Sequence, residues 1–501
     1  MTKILGPVLG FRGVSACGWR VSILIVTDGA APRIEVVAPA EIAVTAPRKI
    51  SKSGNRTAWR SDVTIAQKPD AETEVCYRIG ARQTHAFTVP GSNMMPRMAY
   101  GSCNGFSEPK AMKSVDENNR LWGVLFNKHA EQPYHLMLHG GDQVYADSLW
   151  AVVPAMRDWA ELPFKEGNKA KFTPQMKAAV DKFYFDLYCT RWSQPKVAEV
   201  LASIPSVMMW DDHDITDGWG SYNTERQHSE VFQGLFESAR RHFAAFQLHG
   251  SAQDEESSVF FKPDKGFSFG HVFGKLGLVV LDMRSERSQT QVLGKESWNS
   301  VFNWIDQHKE LDHLFVMSSI PVVHPSLGLL ESLLKLVPGQ QELEDDFKDH
   351  WSSRSHLAER LRLVHRLLNF SAAEKTRVTI LSGDVHVAAL GIIESQRNVA
   401  ATCNSQVINQ LTSSGIVHPP PSALTAFALD RLFDNKEDID RGITLVMEKF
   451  PGTQKRFLAE RNWLSLEPDA PDGANRIWAN WFTESTQEPY TKVIHPVADE
   501  A

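Results

Sequence analysis

The chain is poor in cysteine. Five occur among 501 residues (Cys17, Cys76, Cys103, Cys189 and Cys403), an odd number without regular spacing. That excludes a disulfide framework as the source of stability. Long apolar runs are also missing: no stretch reaches the roughly 18 residues of a membrane-spanning helix, so no span is expected. Arg12 and Gly13 interrupt the apolar residues ahead of Val14-Ser15-Ala16-Cys17. No signal-peptide core forms there, and a cytoplasmic protein is expected. Excess positive charge is absent too. The net charge of −7 gives neither nucleic acid nor an anionic membrane an electrostatic reason to bind. There is no internal repeat and no low-complexity tract; Pro419-Pro420-Pro421 is only a short rigid loop.

What remains is a soluble globular composition, 42% hydrophobic and 23% charged, in a chain too long for one ordinary core. Two domains or one large decorated domain are expected. Strand-like runs at 21–26, 33–37, 57–65 and 74–79, separated by turn residues, predict an N-terminal all-β sandwich over residues 1–95. Val89-Pro90-Gly91-Ser92 reads as its linker. From 96 to 501 apolar runs alternate with helical patterns near 108–130, 170–200, 225–248, 297–310 and 342–369, which predicts an α/β catalytic domain. In 225–248, Val231, Phe232, Leu235, Phe236, Ala239 and Phe243 recur at helical spacing. Strand patterns return at 463–466, 477–482 and 490–494.

Five apolar runs stop in residues that bind metals. Met98-Ala99-Tyr100 leads into Gly101-Ser102-Cys103-Asn104, and His135-Leu136-Met137-Leu138 into Gly140-Gly141-Asp142-Gln143-Val144-Tyr145. Val207-Met208-Met209-Trp210 leads into Asp211-Asp212-His213-Asp214, and Leu278-Val279-Val280-Leu281 into Asp282-Met283-Arg284-Ser285-Glu286-Arg287. Val378-Thr379-Ile380-Leu381 ends in Gly383-Asp384-Val385-His386 after one serine. Short apolar runs bounded by Gly or acids read as buried strands, and the carboxyl ends of strands line the crevice of an open α/β sheet. One crevice is therefore expected to collect Asp, His, Cys, Tyr and Arg.

Such a set suits phosphate ester hydrolysis. Two metal ions about 4 Å apart neutralise the phosphoryl oxygens and generate hydroxide at neutral pH. Asp142, behind two glycines, suits a bridging carboxylate, and Tyr145 three residues on can turn back to the same ion. Phenolate from Tyr145, thiolate from Cys103 and imidazole from His386 favour ferric iron; Asp142, Asp212 and Asp384 suit a harder ion such as Ca²⁺, Mg²⁺ or Mn²⁺. Arg284 and Arg287 offer either phosphate contacts or structural ion pairs. Taken singly, His139, His324 and His418 read as packing residues.

Gly101-Ser102-Cys103, Gly141-Asp142-Gln143-Val144-Tyr145-Ala146-Asp147, Trp210-Asp211-Asp212-His213-Asp214, Leu281-Asp282-Met283-Arg284 and Leu381-Ser382-Gly383-Asp384-Val385-His386 resemble, in order, the PhoD-like branch of the metallophosphatase superfamily. The resemblance spans about 98–415. It implies a four-layer αββα sandwich behind an N-terminal β-domain, and an alkaline phosphatase or phosphodiesterase acting on small phosphorylated substrates. Iron and calcium are the implied metals, with Mn²⁺, Mg²⁺ or Zn²⁺ as alternatives in the second site. Iron would be held by Cys103, Asp142, Tyr145 and His386, and the second metal by Asp142, Asp212 and Asp384. His213 would be an outer-sphere acid, with Arg284 and Arg287 towards substrate. Two departures bear on substrate: Asp214-Ile215-Thr216-Asp217 replaces a Glu-containing continuation, and Glu286 stands where better-known members carry Tyr.

Overall fold

Glycines at 6, 10 and 13 and a proline at 7 obscure the strand pattern near the N-terminus, yet Lys3–Ser15 forms the longest strand among the described residues. The computed structural model describes residues 3–497 apart from 40–41, 81–82, 114, 251–260, 262–263, 325–350, 352, 354, 398–405, 423–424, 426–429, 431–435 and 470–474. Strands before residue 95 are Lys3–Ser15 (β1), Gly18–Asp28 (β2), Ile34–Ala38 (β3), Arg48–Ser53 (β4), Arg56–Ile65 (β5), Thr73–Ile79 (β6) and Gln83–Val89 (β7). Next come Met98–Gly101 (β8), Leu136–Gly140 (β9), Ser206–Met209 (β10), Phe269–Phe273 (β11), Leu276–Val280 (β12) and His313–Met317 (β13). Then follow Arg377–Ser382 (β14), Ala388–Ser395 (β15), Val407–Ser413 (β16), Glu437–Asp440 (β17) and Ile443–Glu448 (β18). Phe457–Leu458 (β19), Asn462–Asp469 (β20), Arg476–Thr483 (β21) and Tyr490–Ile494 (β22) close the chain.

Two large sheets result. The first runs β22-β21-β20-β8-β9-β10-β1-β2-β5-β4, with β8, β9, β10 and β1 parallel. The second runs β11-β12-β13-β14-β16-β15-β18-β17, with β19 on β15 and with β12, β13, β14 and β16 parallel. Strands β3, β6 and β7 form a small third sheet. Alternation decides the faces. Leu9, Met98, Tyr100, Leu136 and Leu138 share one core with Leu278, Val280, Phe315 and Ile380 of the second sheet. Their neighbours Leu5, Val8, Ala99, Met137 and Met208 face the helices Arg120–Glu131, Pro174–Trp192 and Val197–Ser203. Trp298, Val301, Leu363 and Leu367, from the helices Lys295–Gln307 and Leu357–Glu374, join the core of the second sheet. The protein is thus a mixed α/β molecule built on two large sheets.

The helix expected near 297–310 appears as Lys295–Gln307, while those near 108–130 and 170–200 each break in two, into Pro109–Lys113 and Arg120–Glu131 and into Pro174–Trp192 and Val197–Ser203. The 225–248 pattern becomes Glu230–Phe246, capped by Ser229, and buries all six residues read from its spacing. Part of the 342–369 expectation lies outside the described residues; the helix there is Leu357–Glu374. The N-terminal strands depart from the expected sandwich over 1–95. Strands β1, β2, β5 and β4 extend the first large sheet rather than closing on one another. The reason is burial on both faces: Leu5 and Val8 pack under helices while Leu9 and Phe11 enter the inter-sheet core. A small sandwich with wet outer faces cannot supply that cover. Among the described residues no helix is long and apolar enough to cross a membrane.

Candidate metal centre

The parallel strands deliver their carboxyl ends to one place, and the turns there are unusual. Cys103, Asp142, Asp384 and His386 all have positive φ, at 54°, 54°, 69° and 54°. L-residues avoid this region, and it persists only where surroundings impose it, most often at functional sites. Gly141, at φ 100°, makes the turn before Asp142; a side chain there would meet Asp211 Cβ at 2.7 Å. The turns interlock. Cys103 N donates to Gly141 O at 3.2 Å, Asn104 N to Asp142 O at 2.8 Å, and Gly383 lies hard against Ser102.

The donor atoms converge. Carboxylate oxygens of Asp142, Asp211, Asp212 and Asp384 lie within 4.8 Å of one another, as do donor atoms of Asp142, Asp212 and His213. Cys103 Sγ sits 3.4 Å from Asp142 Oδ2 and 3.1 Å from Ser414 Oγ, and His386 N donates to the same Ser414 hydroxyl. Tyr145 stacks on His213, ring centroids 4.3 Å apart, and on His418 at 5.6 Å; His386 stacks on His418 at 3.7 Å. His418, a packing residue on its own, therefore roofs the site. His139 does bond locally, to Gln143 and Ser206.

Electrostatics point to a cation. Burial raises the pKa of Asp142 well above the carboxylate range, and Asp211, Asp212 and Asp214 push it further against the pull of His213. Burial and the Asp142 charge likewise raise the Cys103 thiol, and burial with His418 and His213 holds His386 far below the usual imidazole value. Burial disfavours a charged His213, yet Asp147, Asp212 and Asp142 outweigh it and raise its pKa. Asp142 Oδ1 and His386 Nε2 are buried with no hydrogen-bond partner. Unpaired buried acceptors beside crowded carboxylates suit a cation, so the donor set fits bound metal.

A family model described as PhoD-related phosphatase matches residues 77–340 and 328–440. The chain belongs to the PhoD-related phosphatase family. The resemblance read from the strand-end motifs is thereby borne out. This PhoD-related chain is also similar to the uncharacterized protein YGR266W of Saccharomyces cerevisiae, 30% identical over 512 residues that cover 84% of this chain and 72% of that protein. A solved structure of PhoD matches over 97% of this chain and 91% of that one, with a TM-score of 0.58 and 14% identity, a likeness of fold.

The arginines lie deeper than their motif suggested. Arg284 is fully buried, its Nε on Asp211, its Nη1 on Trp219 O at 2.9 Å and its Nη2 3.3 Å from Asp212. Arg287 is 4% exposed, with its stem against Gly220 and its guanidinium 3.5 Å from His356. Glu286 turns from the crevice to accept Gly294 N at the start of the helix Lys295–Gln307. Three acids given no role in the sequence lie at the site: Asp211 in the carboxylate cluster, Asp214 and Asp147. Asp214 accepts the backbone N–H of Asp142, Gln143, Val144 and Asp211 and the amide of Gln247. Asp147 holds His213 Nδ1 at 2.8 Å. All three stand inside the quoted motifs, at Gly141–Asp147 and Trp210–Asp214, but none was given a role there.

Proposed function

We propose that the protein hydrolyses phosphate esters with metal ions held where β8, β9, β10 and β14 end. The carrying observation is the carboxylate cluster of Asp142, Asp211, Asp212 and Asp384, buried or nearly so, whose oxygens crowd within 4.8 Å. Arg284 offsets part of that charge, at Asp211 and Asp212, and a bound cation would offset the rest. Cys103, Asp142, Tyr145 and His386 would hold ferric iron. Asp142, Asp212 and Asp384 would hold a harder second ion, Ca²⁺ being the best fit to carboxylates, with Mn²⁺, Mg²⁺ or Zn²⁺ as substitutes. Bound metals in such a site neutralise phosphoryl oxygens and supply a nucleophile from water. The layering of helices and two sheets is read as the αββα sandwich of the family.

The remaining need is a proton for the leaving alkoxide. His213 answers it: Asp147 fixes Nδ1, Tyr145 stacks on the ring, and Nε2 stays near the partly open Asp217 at 4.0 Å. Arg284 braces Asp211 and Asp212, so it acts through ligands, not on substrate. With both guanidiniums turned to protein groups, diesters, which bring one charge fewer, suit the site better than monoesters. Turnover of bis-nitrophenyl phosphate against nitrophenyl phosphate tests this. A higher kcat/KM for the diester supports it; a strong monoester preference overturns the diester reading, and no hydrolysis of either by metal-loaded protein overturns both.

A further inference from the structure

Ser414 stands directly after β16, fully buried between two of the iron ligands proposed above. Its hydroxyl oxygen accepts the backbone N–H of His386 at 2.9 Å and lies 3.1 Å from Cys103 Sγ. A serine hydroxyl has a single proton. With an N–H already aimed at the oxygen, that proton is left for the sulfur. As a thiol, Cys103 donates to Asp142 Oδ2 at 3.4 Å. As an iron-bound thiolate it has no proton and only accepts, so Ser414 becomes the donor. The other hydroxyl near the sulfur, Ser102 Oγ at 3.6 Å, has a nearer acceptor in Ser413 O at 3.1 Å. The segment is also held from both sheets. Asn462 of β20 donates its side-chain amide to Ser414 O at 2.8 Å, and Ser413 Oγ donates to Asn462 Oδ1 at 2.7 Å. Ile416 N donates to Ser102 O, and Val417 N and His418 N to Cys103 O. One hydroxyl therefore touches a ligand turn that follows β8 in the first sheet and another that follows β14 in the second.

We propose that Ser414 is a positioning residue of the iron site, its O–H donating to the Cys103 sulfur while its oxygen anchors the backbone of His386. The inference rests on the iron reading above. A hydrogen bond to a bound thiolate fixes its direction and draws electron density from it, which raises both the energy of sulfur-to-iron charge transfer and the potential of the metal. Removing such a partner usually lowers metal affinity or activity about 10–100-fold. A serine that only fills space would leave the spectrum and the potential untouched when shortened to alanine.

The test is Ser414→Ala beside the wild type, full chain, loaded with ferric iron. The readouts are the visible spectrum, the iron reduction potential, iron release to a competing chelator, and melting temperature with and without metal. The expected result is an absorption band moved to longer wavelength, a lower potential and iron released about 10–100-fold more readily, with the iron-loaded form losing more melting temperature than the metal-free form. An unmoved band and potential with wild-type iron release overturn the inference. So does an equal loss of melting temperature in both forms with an unmoved band, which would make the hydroxyl a packing group. A wild-type chain that takes up no iron overturns the iron reading itself; an iron-loaded wild type with an indistinguishable variant overturns only the role of Ser414.

Discussion

Cys103, Asp142, Asp384 and His386 share a backbone conformation that costs L-residues of order 1–3 kcal/mol each, and four such residues meet at one point. That expense marks the place where they meet as a functional site. Cys103→Ser keeps the size of the side chain and removes the soft donor. It should lose iron and most activity with little change in melting temperature; unchanged iron content by elemental analysis would return Cys103 to packing. His213→Asn should keep metal but lose turnover by about 10²–10⁴-fold on alkyl esters, the usual worth of general acid catalysis, and far less on nitrophenyl esters. Equal losses on both would move the acid role elsewhere. At this scale the residues read as donors from the sequence do meet at one place in the fold, while the groups that support them were harder to read. Asp142 was legible because glycines and an apolar run precede it. Asp214 was not, because its role lies in four backbone N–H groups, three of them about seventy residues away.

Strand ends and helix starts carry the next level. The runs of β9, β12 and β14 were readable because both faces are buried and apolar residues dominate them, with only His139 in β9 and Thr379 inside the apolar stretch of β14. β1 escaped because glycine and proline punctuate a strand buried by tertiary packing, which propensity does not see. Glu286 was misjudged as an acid at the substrate because its direction depends on the following turn, which aims it at Gly294. As a cap for the helix Lys295–Gln307 it is worth about 0.5–1 kcal/mol. Glu286→Ala should lower stability by that amount in denaturant titration and leave kcat/KM within about twofold; a marked rise in activity on anionic substrates would instead place Glu286 where it repels substrate.

Two large sheets carry most strands of the described residues, and the N-terminal strands are built into the first of them. Because β1 sits between β10 and β2, a chain lacking residues 1–95 should be insoluble or unfolded. A folded, active fragment 96–501 would show that the N-terminal strands are dispensable. Acid should also unfold it early. His129, His271 and His313 are held neutral by burial, with pKa values lowered to about 4, about 3 and about 4. The unfolded chain binds protons at these sites near pH 6.5, where the folded chain does not, so their contribution is complete above that pH. It is lost as pH falls towards 4. Denaturant midpoints should decline across pH 6.5–4, and a flat profile would contradict this.

The central claim is that activity resides in metal held by the strand-end cluster. Its most direct test is to strip the purified protein of metal to a level confirmed by elemental analysis and assay bis-nitrophenyl phosphate before, after, and on adding back iron and calcium. The account predicts hydrolysis that disappears with the metal and returns with it; undiminished hydrolysis by the metal-free protein would contradict it.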